Sequence, residues 1–341
     1  VIDILTGDVR ERLRELPDAS VHCCVTSPPY FGLRDYGMAG QLGLEPTPDA
    51  FVAELVAVFR DVRRVLREDG TLWLNLGDSY GTGSRGQNFD PASGATNKGG
   101  QGAAGKFGHR KQPPVRGMHK QLLGIPWRVA FALQADGWWL RQDIIWSKPN
   151  PMPESVTDRC TKAHEYLFLL SKSDRYYFDA KAIAEPVAAS TIARLSQSTL
   201  DQQQGSDRVP GKTNGRMKAK PPRFGGHKYG DNDDEQHRTK SGNDYEVATS
   251  ELRNRRSVWT VTSKPFKEAH FATFPPDLIE PCILAGAPVG GTVLDPFFGA
   301  GTTGLVAVKH ERNCVGIELN PAYVDIARRR LNIPDLSEFN L

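Results

Sequence analysis

The sequence predicts an α/β fold: a twisted, mostly parallel sheet with helices on both faces, in a Rossmann-like arrangement. Three observations carry this expectation. Short apolar strands alternate with amphipathic helices over residues 1–80 and again over 257–333. A glycine-rich turn joins a strand to a helix near residue 299. The chain has 341 residues, 39% of them hydrophobic, which suffices for one large core.

The elements follow in order. Val1–Thr6 reads as an apolar strand, and Val9–Leu16 as a helix that Asp8 is placed to N-cap. Val21–Thr26 is a second strand, ended by Ser27-Pro28-Pro29. Between Asp49 and Leu66, Phe51, Leu55, Val58, Val62 and Val65 share one helical face. Asp69-Gly70 reads as a turn into a strand at Thr71–Leu76. Ile125–Gln134 is a helix with Pro126 in its first turn, and strands follow at Leu140–Trp146 and Glu165–Leu170. The final part holds a strand (Thr292–Asp295), a helix (Thr302–Lys309), a strand (Asn313–Glu318) and a basic helix (Ala322–Leu331).

Two stretches break the alternation. Residues 81–120 carry nine glycines between Gly81 and Gly108, seven Lys/Arg and a single acid, and read as a mobile basic loop. Residues 186–250 are polar and too poor in large apolar side chains to bury a core of their own. Within them, seven basic residues and no acid lie between Arg208 and Lys228, either a solvated linker or a grip on phosphates. The boundaries expected are therefore 1–185, an insert at 186–250, and 251–341, with the outer parts forming one domain.

Composition excludes several classes. A net charge of +3 does not by itself announce a polyanion partner. The five cysteines form no CxxC pair and no zinc spacing, so neither a metal site nor a disulfide framework is expected. No run of 18 apolar residues and no secretory signal occur, so the expectation is a cytoplasmic protein without a membrane partner.

Asp295-Pro296-Phe297-Phe298-Gly299-Ala300-Gly301-Thr302-Thr303-Gly304 contains GxGxxG between strand and helix. Glycines let backbone approach a ligand at the carboxyl end of a strand. Glu318 ends the next strand, 23 positions after Asp295, where a carboxylate can accept both hydroxyls of a ribose. A P-loop is excluded because no GK[ST] follows. NAD fits the spacing and the acid, although Asp295–Phe298 intervene before the first glycine. S-adenosylmethionine also fits, with Asp295 answering its ammonium. A tight structural turn capped by Thr302 is the plainest alternative.

Val25-Thr26-Ser27-Pro28-Pro29-Tyr30 is the second signal. The Ser27 hydroxyl and the Pro28 carbonyl can accept hydrogen bonds from an exocyclic amine, and Tyr30 can stack on a flat ring. Accepting those hydrogens draws the nitrogen toward a tetrahedral form and frees its lone pair to attack a methyl group. No covalent intermediate is needed. Cys23 and Cys24 precede this loop and read as core residues rather than nucleophiles.

With both motifs present, the chain resembles the amino-group DNA methyltransferases of the permuted β type. In that family a Ser/Asp/Asn-Pro-Pro-Tyr loop comes early and the cofactor turn late. Thr6-Gly7-Asp8, Ile145–Asn150 and His270–Pro275 resemble further family segments. The resemblance implies a Rossmann-like methyltransferase fold and S-adenosyl-L-methionine as cofactor. It implies catalytic residues Ser27, Pro28, Pro29 and Tyr30. It implies cofactor contacts from Asp8, Phe271, Thr273, Asp295, Phe297, Gly299, Gly301, Thr302 and Glu318. Residues 186–250 occupy the place of the target-recognition region, so DNA contacts are expected from Arg208, Lys212, Arg216, Lys218, Lys220, Arg223 and Lys228. The target base would flip out of the duplex. Thr-Ser-Pro-Pro-Tyr resembles the N4-cytosine enzymes of restriction–modification systems, with N6-adenine as the alternative and a cognate restriction endonuclease as a possible partner. RNA or protein-amide methylation, a catalytically silent DNA-binding module and an NAD dehydrogenase are the more distant alternatives. Trp146 is read as core, and His270 as structural.

Overall fold

A parallel sheet buried on both faces needs apolar strands and two layers of helix, and the chain supplies both. The computed structural model describes residues 1–81, 118–195, 252–263 and 274–333. The chain divides into two compact units: Val1–Phe178 with Ser257–Leu341, and Asp179–Arg256.

The first unit contains β1 (Ile2–Thr6), α1 (Val9–Glu15), β2 (Val21–Thr26), α2 (Pro48–Val65), β3 (Leu66–Leu76), α3 (Ile125–Ala135), β4 (Trp139–Ser147) and β5 (His164–Ser171). The second unit contributes β6 (Glu185–Pro186), α4 (Ala189–Leu195) and β7 (Leu252–Arg253). The first unit then resumes with β8 (Val258–Thr260), α5 (Pro276–Gly286), β9 (Thr292–Asp295), α6 (Thr302–Lys309), β10 (Asn313–Glu318) and α7 (Pro321–Arg330).

Eight strands form one sheet in the order β1-β10-β9-β2-β3-β5-β4-β8. Only β5 runs antiparallel to its neighbours. The mostly parallel α/β sheet expected from the alternating pattern is therefore present.

Adjacent residues of β2 and β3 point to opposite faces. Cys24, Leu72 and Leu74 join the cluster that holds Leu13 of α1, Phe51, Leu55 and Val58 of α2, and Val129 and Leu133 of α3. Cys23, Thr71 and Trp73 instead meet Gly286 of α5, where an added Cβ would lie 2.5–2.8 Å from all three. The bare glycine lets α5 settle onto the sheet. Thr47 caps α2 by accepting from Ala50 N, and α2 buries Phe51, Leu55, Val58, Phe59, Val62 and Val65. Each such side chain contributes ~1.5–3 kcal/mol relative to exposure, which exceeds the ~1 kcal/mol of the cap.

One expectation is corrected. Asp69-Gly70 does not precede β3; the strand starts at Leu66 and runs through it. The register against β2 jumps from Val21↔Leu66 to Cys23↔Thr71, so residues 67–70 form a bulge rather than a turn. Helix α5 was not apparent in the sequence because it carries Pro276 and Pro281. Pro281 forfeits one bond close to the first turn, and burial of Leu278, Ile279, Cys282 and Ile283 offsets it. At the two borders of the 186–250 insert, β6 pairs with β7, and Glu185 bridges Arg253 and Arg256 at 3.0 and 2.5 Å; α4 is the regular element described within the insert.

Among the described residues no helix is long and apolar enough to cross a membrane, and no group of His, Cys, Asp or Glu has the arrangement of a metal site.

Candidate functional site

In the strand order, β9 separates β10 from β2, so the chain passes through an interruption in its sequential arrangement at that point. Open α/β sheets bind ligands at such points, beyond the carboxyl ends of the strands. A cavity lies there. It is lined by Gly7–Val9 after β1, Ser27–Tyr30 after β2, Pro296–Ala300 and Thr302 after β9, and Ile317–Asn320 across the end of β10. Part of the segment between β2 and α2 closes it from above, including Arg34, Tyr36 and Leu42.

The two loops read from the sequence are joined at their bases. Thr26 and Asp295 end neighbouring parallel strands, and Thr26 Oγ1 donates to Asp295 Oδ1 at 2.6 Å. Asp295 Oδ2 accepts from Thr303 Oγ1 at 2.6 Å, and Oδ1 also accepts from Phe297 N at 3.1 Å. Burial pushes the Asp295 carboxyl up to about 6, against the pull of these donors. Asp295 is fully buried and does not line the cavity. It was expected to meet a ligand ammonium; in the structure it ties the glycine turn to β2.

Gly301 is likewise expected to contact the cofactor. It does not line the cavity. Its φ of +77° lets it serve as N-cap of α6, and an added Cβ would press on Ala327, Leu331 and Phe298 at 3.1–3.3 Å. Gly304 and Gly316 stand against the same Phe298 ring, with added Cβ atoms 2.8 and 2.4 Å from it. Gly304 and Gly316 therefore make room for Phe298, and Gly301 is set by its left-handed backbone at the head of α6. Gly299 differs: it lines the cavity, has φ +53°, and has open space where a Cβ would be.

Glu318 lines the cavity at the tip of β10. Its Oε2 accepts from Gly299 N and its Oε1 from Asn320 N, both at 2.8 Å. Burial raises its carboxyl above the usual range despite those bonds. Each oxygen keeps a lone pair for a further donor. Asp8 caps α1 by accepting from Arg10 N, and the Arg10 guanidinium holds its carboxyl below the usual range. Phe297 and Thr302 also line the cavity, and Thr302 Oγ1 accepts from Arg330 at 2.9 Å. Phe271, Thr273 and His270 lie outside the described residues, as do Arg208, Lys212, Arg216, Lys218, Lys220, Arg223 and Lys228. Phe274, next to that aromatic segment, reaches the cavity.

At the other end, Ser27, Pro28, Pro29 and Tyr30 form the wall. Tyr30 is fixed from two sides. Its ring packs on bare Gly77, where an added Cβ would sit 2.4 Å from Tyr30 Cε2. Its hydroxyl lies 2.7 Å from Glu165 Oε2, 3.2 Å from Asn75 Oδ1 and 3.5 Å from Ser27 Oγ. Burial and the nearby Glu165 charge push the phenol well above its usual range, so it stays protonated. Glu165 in turn is ion-paired with Lys148, whose ammonium stands 4.1 Å from the centre of the Trp146 ring. Trp146 itself is buried, with Nε1 donating to Val261 O, in keeping with a core residue.

Glu165, Asn75 and Gly77 were not singled out from the sequence. Glu165 reaches the site because β5 is antiparallel: its first residues lie beside the last residues of β3 and β4, with Trp146↔Glu165 and Leu76↔Tyr166 in register. Cys23 and Cys24 are wholly buried, and burial pushes the Cys23 thiol up to about 12 and Cys24 well above its usual range. Neither serves as a nucleophile near neutral pH.

The sheet order, with the glycine turn and the Ser-Pro-Pro-Tyr loop facing one cavity, defines a Rossmann-like methyltransferase. Comparisons narrow the class. The DNA methylase family (N6_N4_Mtase) matches residues 21–329. The chain is 44% identical over 332 residues to the type II methyltransferase M.Cfr9I of Citrobacter freundii, covering 97% of this chain and 88% of that protein. Two solved structures share the fold. The PvuII DNA methyltransferase (cytosine-N4-specific) superposes with a TM-score of 0.59 at 17% identity, covering 98% of this chain and 86% of that one. TTHA0409 of Thermus thermophilus, solved with S-adenosyl-L-methionine, superposes with a TM-score of 0.53 at 23% identity, covering 97% and 93%. The chain belongs to the DNA methylase family of N6- and N4-amino methyltransferases, which use S-adenosyl-L-methionine as methyl donor.

Proposed function

We propose that this protein methylates the N4 amino group of cytosine in a flipped-out base of a specific DNA site. The observation that carries the reading is the Thr26–Asp295 bond, which fixes the Ser27 loop and the glycine turn on either side of one cavity. A methyl group held at the turn thus lies on the same side of the sheet as an amine held at Ser27.

The donor supplies a methyl sulfonium; the remaining work falls to the chain. The residues present fit that donor. Glu318 presents two carboxylate oxygens with spare lone pairs to a ribose diol, Asp8 presents a carboxylate to an adenine amine, and Gly299 leaves the approach open. Phe297 and Thr302 complete this half. Ser27 Oγ and the Pro28 carbonyl accept the two amine hydrogens and release the nitrogen lone pair, and Tyr30 supports the ring. Loss of such a preorganised group costs ~10²–10³ in rate.

Serine rather than Asp or Asn at position 27 supports cytosine over adenine. The segment 186–250, including Arg208, Lys212, Arg216, Lys218, Lys220, Arg223 and Lys228, is proposed to read the DNA. A cognate restriction endonuclease fits the type II designation of M.Cfr9I. The deciding experiment incubates DNA with the protein and labelled S-adenosyl-L-methionine, digests it to nucleosides and identifies the product by mass spectrometry. Label in N4-methylcytosine is expected; label in N6-methyladenine replaces the cytosine reading with the adenine one.

A further inference from the structure

A hydroxyl is ambivalent: it donates one hydrogen bond and accepts two. Nothing in Ser27 alone compels it to accept from an amine rather than donate to a carbonyl. The groups behind it do. Glu165 as a carboxylate can only accept. It is ion-paired with Lys148 and receives Asn75 Nδ2 at 3.3 Å. The orientation of Asn75 is set independently, since its Nδ2 also donates to the Tyr166 carbonyl at 3.0 Å. The single Tyr30 hydrogen therefore goes to the closer, charged oxygen, Glu165 Oε2 at 2.7 Å. With its hydrogen committed, the Tyr30 oxygen can only accept from Ser27, 3.5 Å away. When Ser27 donates along this line, its hydrogen is turned away from the cavity and its lone pairs face it.

We propose that Glu165, acting through Tyr30, is the positioning residue that biases Ser27 toward accepting, and that this polarity favours an amino-bearing base over its keto counterpart. The chain of donors runs in one direction, Ser27 to Tyr30 to Glu165, and ends in the Lys148 ion pair. A base amine meets a lone pair on Ser27. A keto oxygen, as in uracil or hypoxanthine, meets lone pair against lone pair, with its own acceptor left unpaired. The inference rests on the reading of Ser27 as the amine's acceptor, and it names three groups outside the Ser-Pro-Pro-Tyr loop that give this acceptor its direction.

The test uses the full-length protein and a duplex carrying its methylated site, with the target base either intact or replaced by its keto analogue (uracil for cytosine, hypoxanthine for adenine). The quantity read is the ratio of the two dissociation constants in each variant relative to wild type, which cancels the different pairing energies of the two duplexes. Glu165→Gln removes the acceptor-only terminus, and Tyr30→Phe removes the link while keeping the ring and the Glu165–Lys148 pair. Each is expected to shift the ratio toward the keto base by about tenfold or more, the scale of one unpaired buried polar group. Single-turnover kcat should fall while KM for S-adenosyl-L-methionine stays within about twofold. The double variant should match the stronger single one, because both changes break one chain. An unchanged ratio in folded Glu165→Gln overturns the proposal. If that variant does not fold, an unchanged ratio in Tyr30→Phe does so, and additive effects in the double variant also count against it. Ser27→Ala, measured alongside, separates the two readings. Wild-type activity there removes the underlying assignment of Ser27, whereas loss of activity with unchanged ratios in the other variants removes only the role of Glu165.

Discussion

Ser27 and Asp295 stand back to back across the end of β2 and β9, and their burial assigns them different work. Ser27 faces the cavity, so Ser27→Ala should lower single-turnover methylation by ~10²–10³ with donor affinity unchanged in calorimetry. Asp295 faces inward, with three donors on its two oxygens. Its pKa is raised from 3.8 to about 6. As pH rises from about 4 to 6, the unfolded chain loses this proton before the folded one does, so the buried group subtracts from stability progressively over that window. Asn at this position carries no such term, and the Thr303 hydroxyl is free to rotate and accept from its amide. The melting temperature of Asp295→Asn relative to wild type should therefore rise between pH 4.5 and pH 7, with donor affinity retained within about tenfold. A difference independent of pH, or a collapse of donor binding in the folded variant, returns Asp295 to the ligand.

At the scale of elements, the site depends on how closely β3 and the Ser27 loop approach. Gly77 follows β3 and carries the Tyr30 ring on its bare Cα. Gly77→Ala pushes that ring outward by the width of a methyl group. Misplacement of a reacting geometry by about 1 Å can cost ~10² in rate, so single-turnover methylation should fall on that scale while circular dichroism stays native. The same elements show what the sequence disclosed. Strands β1, β2, β9 and β10 and helices α1, α2, α6 and α7 were legible because each is local and carries its own period or cap. The Ser27 and glycine loops were legible because each is contiguous. Glu165, Asn75 and Gly77 were not, because they become neighbours of Tyr30 only when β5 enters antiparallel beside β3. The three residues of β8 are too few to show a period, and the prolines of α5 disguise a helix that burial supports.

For the whole molecule, the described sheet holds the cavity proposed for the donor and the base, whereas the grip on the duplex is assigned elsewhere. That was read from the charge of residues 208–228, which lie outside the described residues. If these side chains neutralise phosphates, replacing Arg208, Lys212 and Arg216 with Gln should reduce the slope of log affinity against log salt by about 0.9 for each phosphate no longer neutralised. Filter binding from low to moderate salt measures this, and an unchanged slope assigns the grip elsewhere. The two motifs that gave the function away lie far apart in the chain and meet only because β2 and β9 are hydrogen-bonded neighbours. Neither motif alone distinguished among nucleotide ligands; their adjacency, which the sequence could express only as an order of segments, is what makes one site of them.

The slot around Phe298 bears on how such sequences are sorted by eye. Gly304 and Gly316 are required by an aromatic ring of the protein itself and Gly301 by its left-handed backbone, so mutation at any of them is penalised whether or not a small molecule binds. A descendant that had abandoned chemistry and kept only its shape would still be under pressure to retain all three. The glycine spacing is therefore a fossil of the fold, unable to tell a working enzyme from a retired one. Gly299 is held to its identity by its left-handed backbone alone, since a side chain there would meet open space, so of the positions facing the cavity it is Ser27 whose side chain the packing constrains least.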